Sequence, residues 1–374
     1  MKQQSANQHA NKVAISTRQF VFMMLVVAIS YGHFVYVHVA MLAAGRDAWA
    51  ALVVGCLVGG GLLFLQFRLA AQHPGQSLVN ILQKTWGRLF GGCLSALLIA
   101  FFLAVATLTL KEVMSFLGMV YPRTPPVLFM ICEFAAVVSV VRGGVEVAFR
   151  MIELVLPSLV IIGLLATGLT LQYKEPAYLL PLLQHPPQQI WQGSLPFISM
   201  FGELVVFTMF TKHLTSIDRL PKRGLWLGLL LFLMFVGPTI GPIMMFGERG
   251  AQLFAYPTYA EIQYIDLSDV LDRLDILGLL LWVFGSFFRL AVFMLAAVEA
   301  LGDLTHPPRS SLFAIPVCIF TVGLGCGLLG SSRDEIHQFL LQAYPVIPVF
   351  FGIIIIAVTC MVAWIRQRRT ASGS

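Results

Sequence analysis

What most constrains this chain is a succession of apolar runs, each close to the length that crosses a lipid bilayer. A hydrocarbon core of ~30 Å needs about 20 apolar residues in a helix that rises 1.5 Å per residue. Ten runs fit: Val21–Ala43, Ala48–Ala71, Leu89–Leu117, Val127–Val141, Met151–Leu171, Ile190–Phe210, Leu225–Phe246, Ile276–Leu301, Leu312–Leu329 and Val346–Ile365. They are unbroken rather than alternating in short segments, which favours helices over a transmembrane barrel. Only 11% of the residues are charged and 58% are apolar, about half the charge of an ordinary soluble domain. The first run is too long for a signal h-region and lacks a small-residue cleavage site, so it reads as a first span. The expectation is an all-α integral membrane protein with ten transmembrane helices in one domain over residues 1–374.

The net charge of +6 does not point to nucleic acid, because the basic residues are scattered through short loops. With the N-terminus inside, sixteen of the 24 Lys and Arg fall on the cytoplasmic side and seven outside, with Arg289 left within a span. That asymmetry puts both termini in the cytoplasm. The acids gather in the opposite loop, at Glu261, Asp266, Asp269, Asp272 and Asp275. The six cysteines lie in apolar runs without CxxC spacing, so they read as buried hydrophobes rather than a disulfide framework or a metal site.

Two runs carry residues that a plain lipid-facing helix would not choose. The first is interrupted by Ile29-Ser30-Tyr31-Gly32-His33, and the sixth by Ile198-Ser199-Met200-Phe201-Gly202-Glu203. Ten spans divide as five plus five. The sixth enters from the side opposite to the first, so a repeat of five is inverted: repeat one spans about residues 15–175 and repeat two about 185–366. Weakened helices at matching positions are the sequence pointer to a midplane binding site in transporter-type folds.

At Gly32 and Gly202 the functional reading is an unwound turn whose backbone groups and half-helix N-termini face a ligand. The bland reading is a small residue permitting close helix packing. Glu203 reads as a ligand contact, a proton carrier or the partner of a buried base. Arg289, mid-span, should face the bundle interior and pair with Glu203, with a ligand carboxylate, or fill the place of a sodium ion. His33 lines a pocket or is a satisfied polar group, and Glu133 should bond a neighbouring helix. Glu146, Arg150 and Glu153 have the spacing of a local ion-pair network. The Pro-rich segment 174–189 should be an extended connection, and 247–275 should hold a short interfacial helix near Tyr256–Tyr264. The pairs Gly237-Pro238 and Gly241-Pro242 should kink the seventh span.

A series of short motifs runs through the loops. It comprises Ile15-Ser16 with Gln19, Gly45-Arg46-Asp47-Ala48-Trp49, His73-Pro74-Gly75 and Gly87-Arg88 with Gly91. It continues with Arg123-Thr124-Pro125, Val141-Arg142-Gly143-Gly144 with Glu146, Arg150 with Glu153 and Pro157, and Leu179 with Pro181. In order and spacing this series resembles the B subunits of spore germinant receptors, the GerAB family within the amino acid–polyamine–organocation (APC) superfamily. The resemblance implies a LeuT-like fold with discontinuous helices 1 and 6, and membership of a receptor with A and C subunits in the spore inner membrane. It also implies a small-molecule germinant, such as an amino acid, sugar or nucleoside, bound in a pocket framed by spans one, three, six and eight. The corresponding residues here are Ser30, Tyr31 and Gly32; Val105 to Thr109; Phe201, Gly202 and Glu203; and Phe288 and Arg289. The runner-up is an active amino acid transporter, proton-coupled or not, and a third reading is a structural subunit with a vestigial pocket. No motif of an enzyme is present, and neither a cofactor nor a metal is expected.

Overall fold

Among the described residues, the first helix starts where Ser16 and Gln19 cap each other. The Gln19 N–H donates to Ser16 Oγ and the Ser16 N–H donates to Gln19 Oε1, satisfying two amides at the start of α1 (Thr17–Tyr31). In an apolar surrounding the backbone must keep pairing with itself, and the chain does so through a π turn at Gly32–Tyr36 into α2 (Val37–Ala44). Gly45, at φ 54°, then reverses the chain in a backbone conformation that a side chain would strain.

The return strokes follow as α3 (Ala48–Gln72), α4 (Leu78–Trp86), α5 (Arg88–Val120), α6 (Pro126–Gly143), α7 (Val145–Thr170) and α8 (Pro187–Glu203). Beyond α8 the chain tightens into a 3₁₀ segment, Leu204–Met209. It then continues as α9 (Leu220–Leu253), α10 (Pro257–Gln263), α11 (Asp275–Thr305) and α12 (Ala314–Leu328). A last apolar stretch comprises α13 (Val346–Val349), a π segment Phe350–Ile355 and α14 (Ile356–Ala371). The computed structural model describes residues 14–217, 219–265, 274–307, 309–328, 339 and 343–371. Asp266, Asp269, Asp272, Arg273 and Arg333, on which the charge asymmetry partly rests, lie outside them, as do the basic residues before Ala14.

Among the described residues, eight helical stretches are long and apolar enough to cross a membrane, and Val346–Val362 is a shorter apolar helix beside them. The first stretch, Thr17–Gln72, folds back at Gly45 and so accounts for two crossings. Ten spans result, and the protein is an all-α, multi-pass integral membrane protein.

Both ends of the bundle are closed by polar clasps built from the loop motifs. At the Gly45 end, Asp47 accepts from the N–H groups of Leu183 (2.7 Å) and His185 (2.9 Å), and Arg46 pairs with Glu248 at 2.8 Å. Burial opposes ionisation of Asp47, but the His185 and Leu183 donors win and hold its carboxyl below the usual range. At the opposite end Ile15 bridges to the His213–Thr215 backbone in parallel. There Lys212 is held by Glu299 and Asp303, both at 2.8 Å. Burial would lower the Lys212 pKa, yet the two carboxylates keep it above its ordinary value.

Several sequence expectations are corrected. α9 carries Pro238 and Pro242 within it, and its non-helical break falls further on, at Gly247, φ 70°. The expected short helix is present as α10, but Tyr256 and Tyr259 are buried against Phe116 and Trp282 instead of facing headgroups. Glu146 does pair with Arg150, whereas Glu153 reaches across to Arg18 at 2.7 Å and Gln19 at 3.0 Å. Cys93, Cys132 and Cys326 are exposed, because an apolar residue in a membrane helix can face lipid as readily as the core.

Candidate functional site

An ionised side chain buried in an apolar bundle is costly unless it meets an opposite charge and further hydrogen bonds. Glu203 closes α8 and Arg289 sits in the middle of α11, each with a side chain 1% exposed. Arg289 Nη1 lies 2.8 Å from Glu203 Oε2. The other carboxylate oxygen, Oε1, accepts from the hydroxyls of Tyr36, at 2.5 Å, and Tyr344. Arg289 Nε donates to Thr109 Oγ1 at 3.0 Å, and Nη1 approaches the Val27 carbonyl at 3.4 Å. The guanidinium also lies 4.4 Å from the Tyr31 ring centre and 5.2 Å from that of Phe293, within cation–π range. Five segments of the chain therefore converge on one buried ion pair.

Local winding makes that convergence possible. Tyr31 and Tyr36 are five residues apart, a spacing that puts side chains on different faces of an α-helix. The π turn from Gly32 widens the helix, signalled by the Val37 N–H bonding to the Gly32 carbonyl, and brings the two rings to 5.2 Å. Across the bundle, the chain passes from α-helical to 3₁₀ winding directly after Glu203. Gln66 on α3 donates to the Phe201 carbonyl at 3.1 Å and to the Gly352 carbonyl at 3.2 Å, tying the two irregular segments together. Two aromatic clusters pack in the same core. Phe34, Phe116, Tyr256 and Trp282 pack towards α10, with Phe34 and Trp282 4.0 Å apart. Phe20, Phe149, Phe207 and Phe210 form the other cluster.

Residues 14–326 match the family described as "Spore germination protein". The chain belongs to the spore germination protein family. "Spore germination protein KB" of Bacillus subtilis (strain 168) is 25% identical over 88% of this chain and 90% of that protein. "Spore germination protein XB" of Bacillus anthracis is 22% identical over 83% and 87%. Among solved structures, MhsT in complex with L-phenylalanine superposes with a TM-score of 0.64. At 12% identity it covers 91% of this chain and 90% of that one. The fold is thus LeuT-like.

In this spore germination protein, four expected site residues meet in the cluster: Tyr31, Thr109, Glu203 and Arg289. Val105 stands one turn from Thr109, whose hydroxyl it accepts at 2.8 Å. Phe201 and Phe288 are buried nearby on the same helices as the charges. Ser30 bonds back to the Val27 carbonyl at 3.2 Å and packs against Gly285.

Gly32 and Gly202 are both helical, so neither is the unwound turn expected; the interruptions are changes of winding. A Cβ on Gly32 would meet the Phe235 ring, and one on Gly202 would meet the Pro348 backbone, so both residues permit close packing. His33 lies 4.7 Å from the Phe235 ring and hydrogen-bonds the Met234 backbone. Glu133 is buried, and its Oε1 has no hydrogen-bond partner, so the expected bond from that oxygen to a neighbouring helix is not made.

Tyr36, Tyr344 and Gln66 were missed. Tyr36 carried a signal only if the break at Gly32 is read as π winding. Gln66, two residues before Arg68, resembles an interfacial residue. Nothing in the sequence near Tyr344 points to Glu203.

Proposed function

We propose that this protein is the germinant-sensing B subunit of a spore germinant receptor. In this reading a small molecule, an amino acid or similar, binds at the Glu203–Arg289 pair and triggers germination. The pair is the observation that carries the proposal: two opposite charges, already desolvated and held by Tyr36, Tyr344 and Thr109. A zwitterion offers one group to each, so it can replace their mutual contact without stranding either. Ser30, Tyr31, Gly32, Val105, Phe201, Gly202 and Phe288 complete the proposed pocket. The relatives named for spore germination support the biological role, and the amino acid in the MhsT structure supports the ligand class.

The same reading places the chain in the spore inner membrane with both termini in the cytoplasm, alongside A and C subunits. The two inverted repeats, about residues 15–175 and 185–366, would shift between two arrangements on binding.

A thermal-shift screen of amino acids on the purified protein tests this. A ligand at a hundredfold its Kd stabilises by about 2.7 kcal/mol. That shift is expected in the wild type and should vanish in both Glu203→Gln and Arg289→Gln. A shift that survives both substitutions removes the pair from the site. Accumulation of the ligand in proteoliposomes would replace sensing by transport.

A further inference from the structure

The motif Gly45-Arg46-Asp47 is used residue by residue at its end of the bundle, and the side chain it surrounds is that of His185. Asp47, just before α3, has no exposed side-chain surface. Its Oδ1 accepts from the Leu183 N–H. Its Oδ2 accepts from the His185 N–H and lies 2.9 Å from the same residue's ring Nδ1. The other ring nitrogen, Nε2, lies 3.2 Å from Glu248 Oε1 on α9. Glu248 Oε2 in turn accepts from Arg46 Nε at 2.8 Å, and Arg46 Nη1 donates to the Leu180 carbonyl. Gly45 supplies the room, because a Cβ there would collide with Glu248 Oε1 and with His185 Cε1 and Nε2.

One imidazole is thus held between two carboxylates. Asp47 has a backbone N–H on each oxygen, so it acts as an acceptor and is ionised. Glu248 is paired with a guanidinium, which keeps its charge. Only the imidazolium presents an N–H to both. In either neutral tautomer one ring nitrogen turns a lone pair towards a carboxylate oxygen. The Nδ1 contact is the one that survives, since two backbone amides anchor Asp47 beside it. Loss of the proton therefore falls on the contact with Glu248. Their side chains are 22% and 21% exposed, so solvent protons reach the ring.

The neighbouring ionisable groups do not replace that contact. Among the described residues, His38 on α2 meets the Gln252 carbonyl at 3.2 Å. Arg249 is exposed, and so is Glu175, whose N–H donates to the Met244 carbonyl. Asp47 and Glu248 are the charges that face the His185 ring, and Arg46 is engaged by Glu248 from the other side.

We propose that His185 is a proton-operated latch at the Gly45 end of the bundle. Protonated, it ties the α2–α3 turn and the entry to α8 to the end of α9. Deprotonated, it leaves α2 and α8 joined through Asp47 and lets the end of α9 go. α2 and α8 lead to the two helix interruptions that meet at Glu203, so the latch sets whether α9 is fastened to that pair. It shares no residue with the germinant pocket and works whether or not that pocket is filled. It responds to the pH at the Gly45 face, the outer one in the topology proposed above.

The test uses the full-length protein in phosphatidylcholine nanodiscs without added ligand. Amide hydrogen exchange is followed by mass spectrometry at about pH 5 and about pH 8, the limits of the ordinary histidine range, and corrected for its intrinsic pH dependence. Residues 248–254 should exchange about tenfold faster at the higher pH, the equivalent of 1.4 kcal/mol, while residues 182–185 keep their protection. His185→Gln removes the titrating group. Glu248→Gln sets opposite Nε2 an amide that can accept from an N–H or donate to a lone pair. In both variants the difference between the two pH values should vanish. Equal exchange of 248–254 at the two pH values in the wild type overturns the proposal, whatever the variants do. A difference that persists at full size in either folded variant overturns it as well.

Discussion

The two interrupted helices reach the same carboxylate by opposite distortions. α1 loosens into a π turn at Gly32–Tyr36, and α8 tightens into 3₁₀ winding at Leu204–Met209. The loosening brings a hydroxyl to Glu203, whereas beside the tightening Gln66 donates to the Phe201 carbonyl. Their packing differs in the same sense. Gly32 faces the end of a phenylalanine side chain, which can rotate, while Gly202 faces the backbone of Pro348 and lies against Gly352. α8 is therefore the fixed member of the pair and α1 the adjustable one. That division suits a sensor in which a ligand shifts one element against another.

The largest expected effect comes from the charge that the fixed helix presents. Removing either Glu203 (to Gln) or Arg289 (to Met) strands the other in the bundle, at about 3–5 kcal/mol. The double substitution should cost less than the two singles combined. Unfolding of the purified protein, measured as a double-mutant cycle, decides this. Additivity within about 0.5 kcal/mol would mean that the contact between the two contributes nothing to stability.

The second effect goes directly to the difference between the helices. Gly202→Ala drives a methyl group into backbone that cannot rotate away, so it should cost about 3 kcal/mol, the upper end of ordinary overpacking. Gly32→Ala meets a ring that can swing aside, and should cost about 1 kcal/mol. Equal losses of thermal stability would erase the distinction between fixed and adjustable helices.

How much of this could be read from the sequence follows from what hydrocarbon forbids. Unpaired backbone is excluded there, so each long apolar run had to be a helix, and the ten spans followed. Charges are excluded unless paired, which singled out Glu203 and Arg289 and made their meeting a natural expectation. The manner of the two breaks was hidden. Glycine marks where a helix can change, but whether it unwinds, widens or tightens depends on neighbours such as Phe235 and Pro348 that are distant in sequence. Lipid-facing and core-facing positions use the same residues, so the exposed Cys93, Cys132 and Cys326 looked no different from the buried Cys56 and Cys318.

The smallest effect sharpens the comparison by testing the link between irregular segments. Gln66 is completely buried and donates from one amide nitrogen to both Phe201 and Gly352, on α8 and in the π segment of the last span. Its own Oε1 has no hydrogen-bond partner, so part of what the amide contributes is already offset by that unsatisfied oxygen. Gln66→Leu keeps roughly the same volume, removes the unsatisfied oxygen and takes a donor from each of two carbonyls. The net cost should be near the lower end of the 1–3 kcal/mol range for losing a buried partner, about 1 kcal/mol. Because both carbonyls belong to the fixed side, hydrogen exchange should accelerate in residues 201–209 and 350–355 but not in 32–37. Acceleration in 32–37 of similar size would show that α1 is braced through Gln66 too. The two interruptions would then move as one unit rather than as a fixed and an adjustable half.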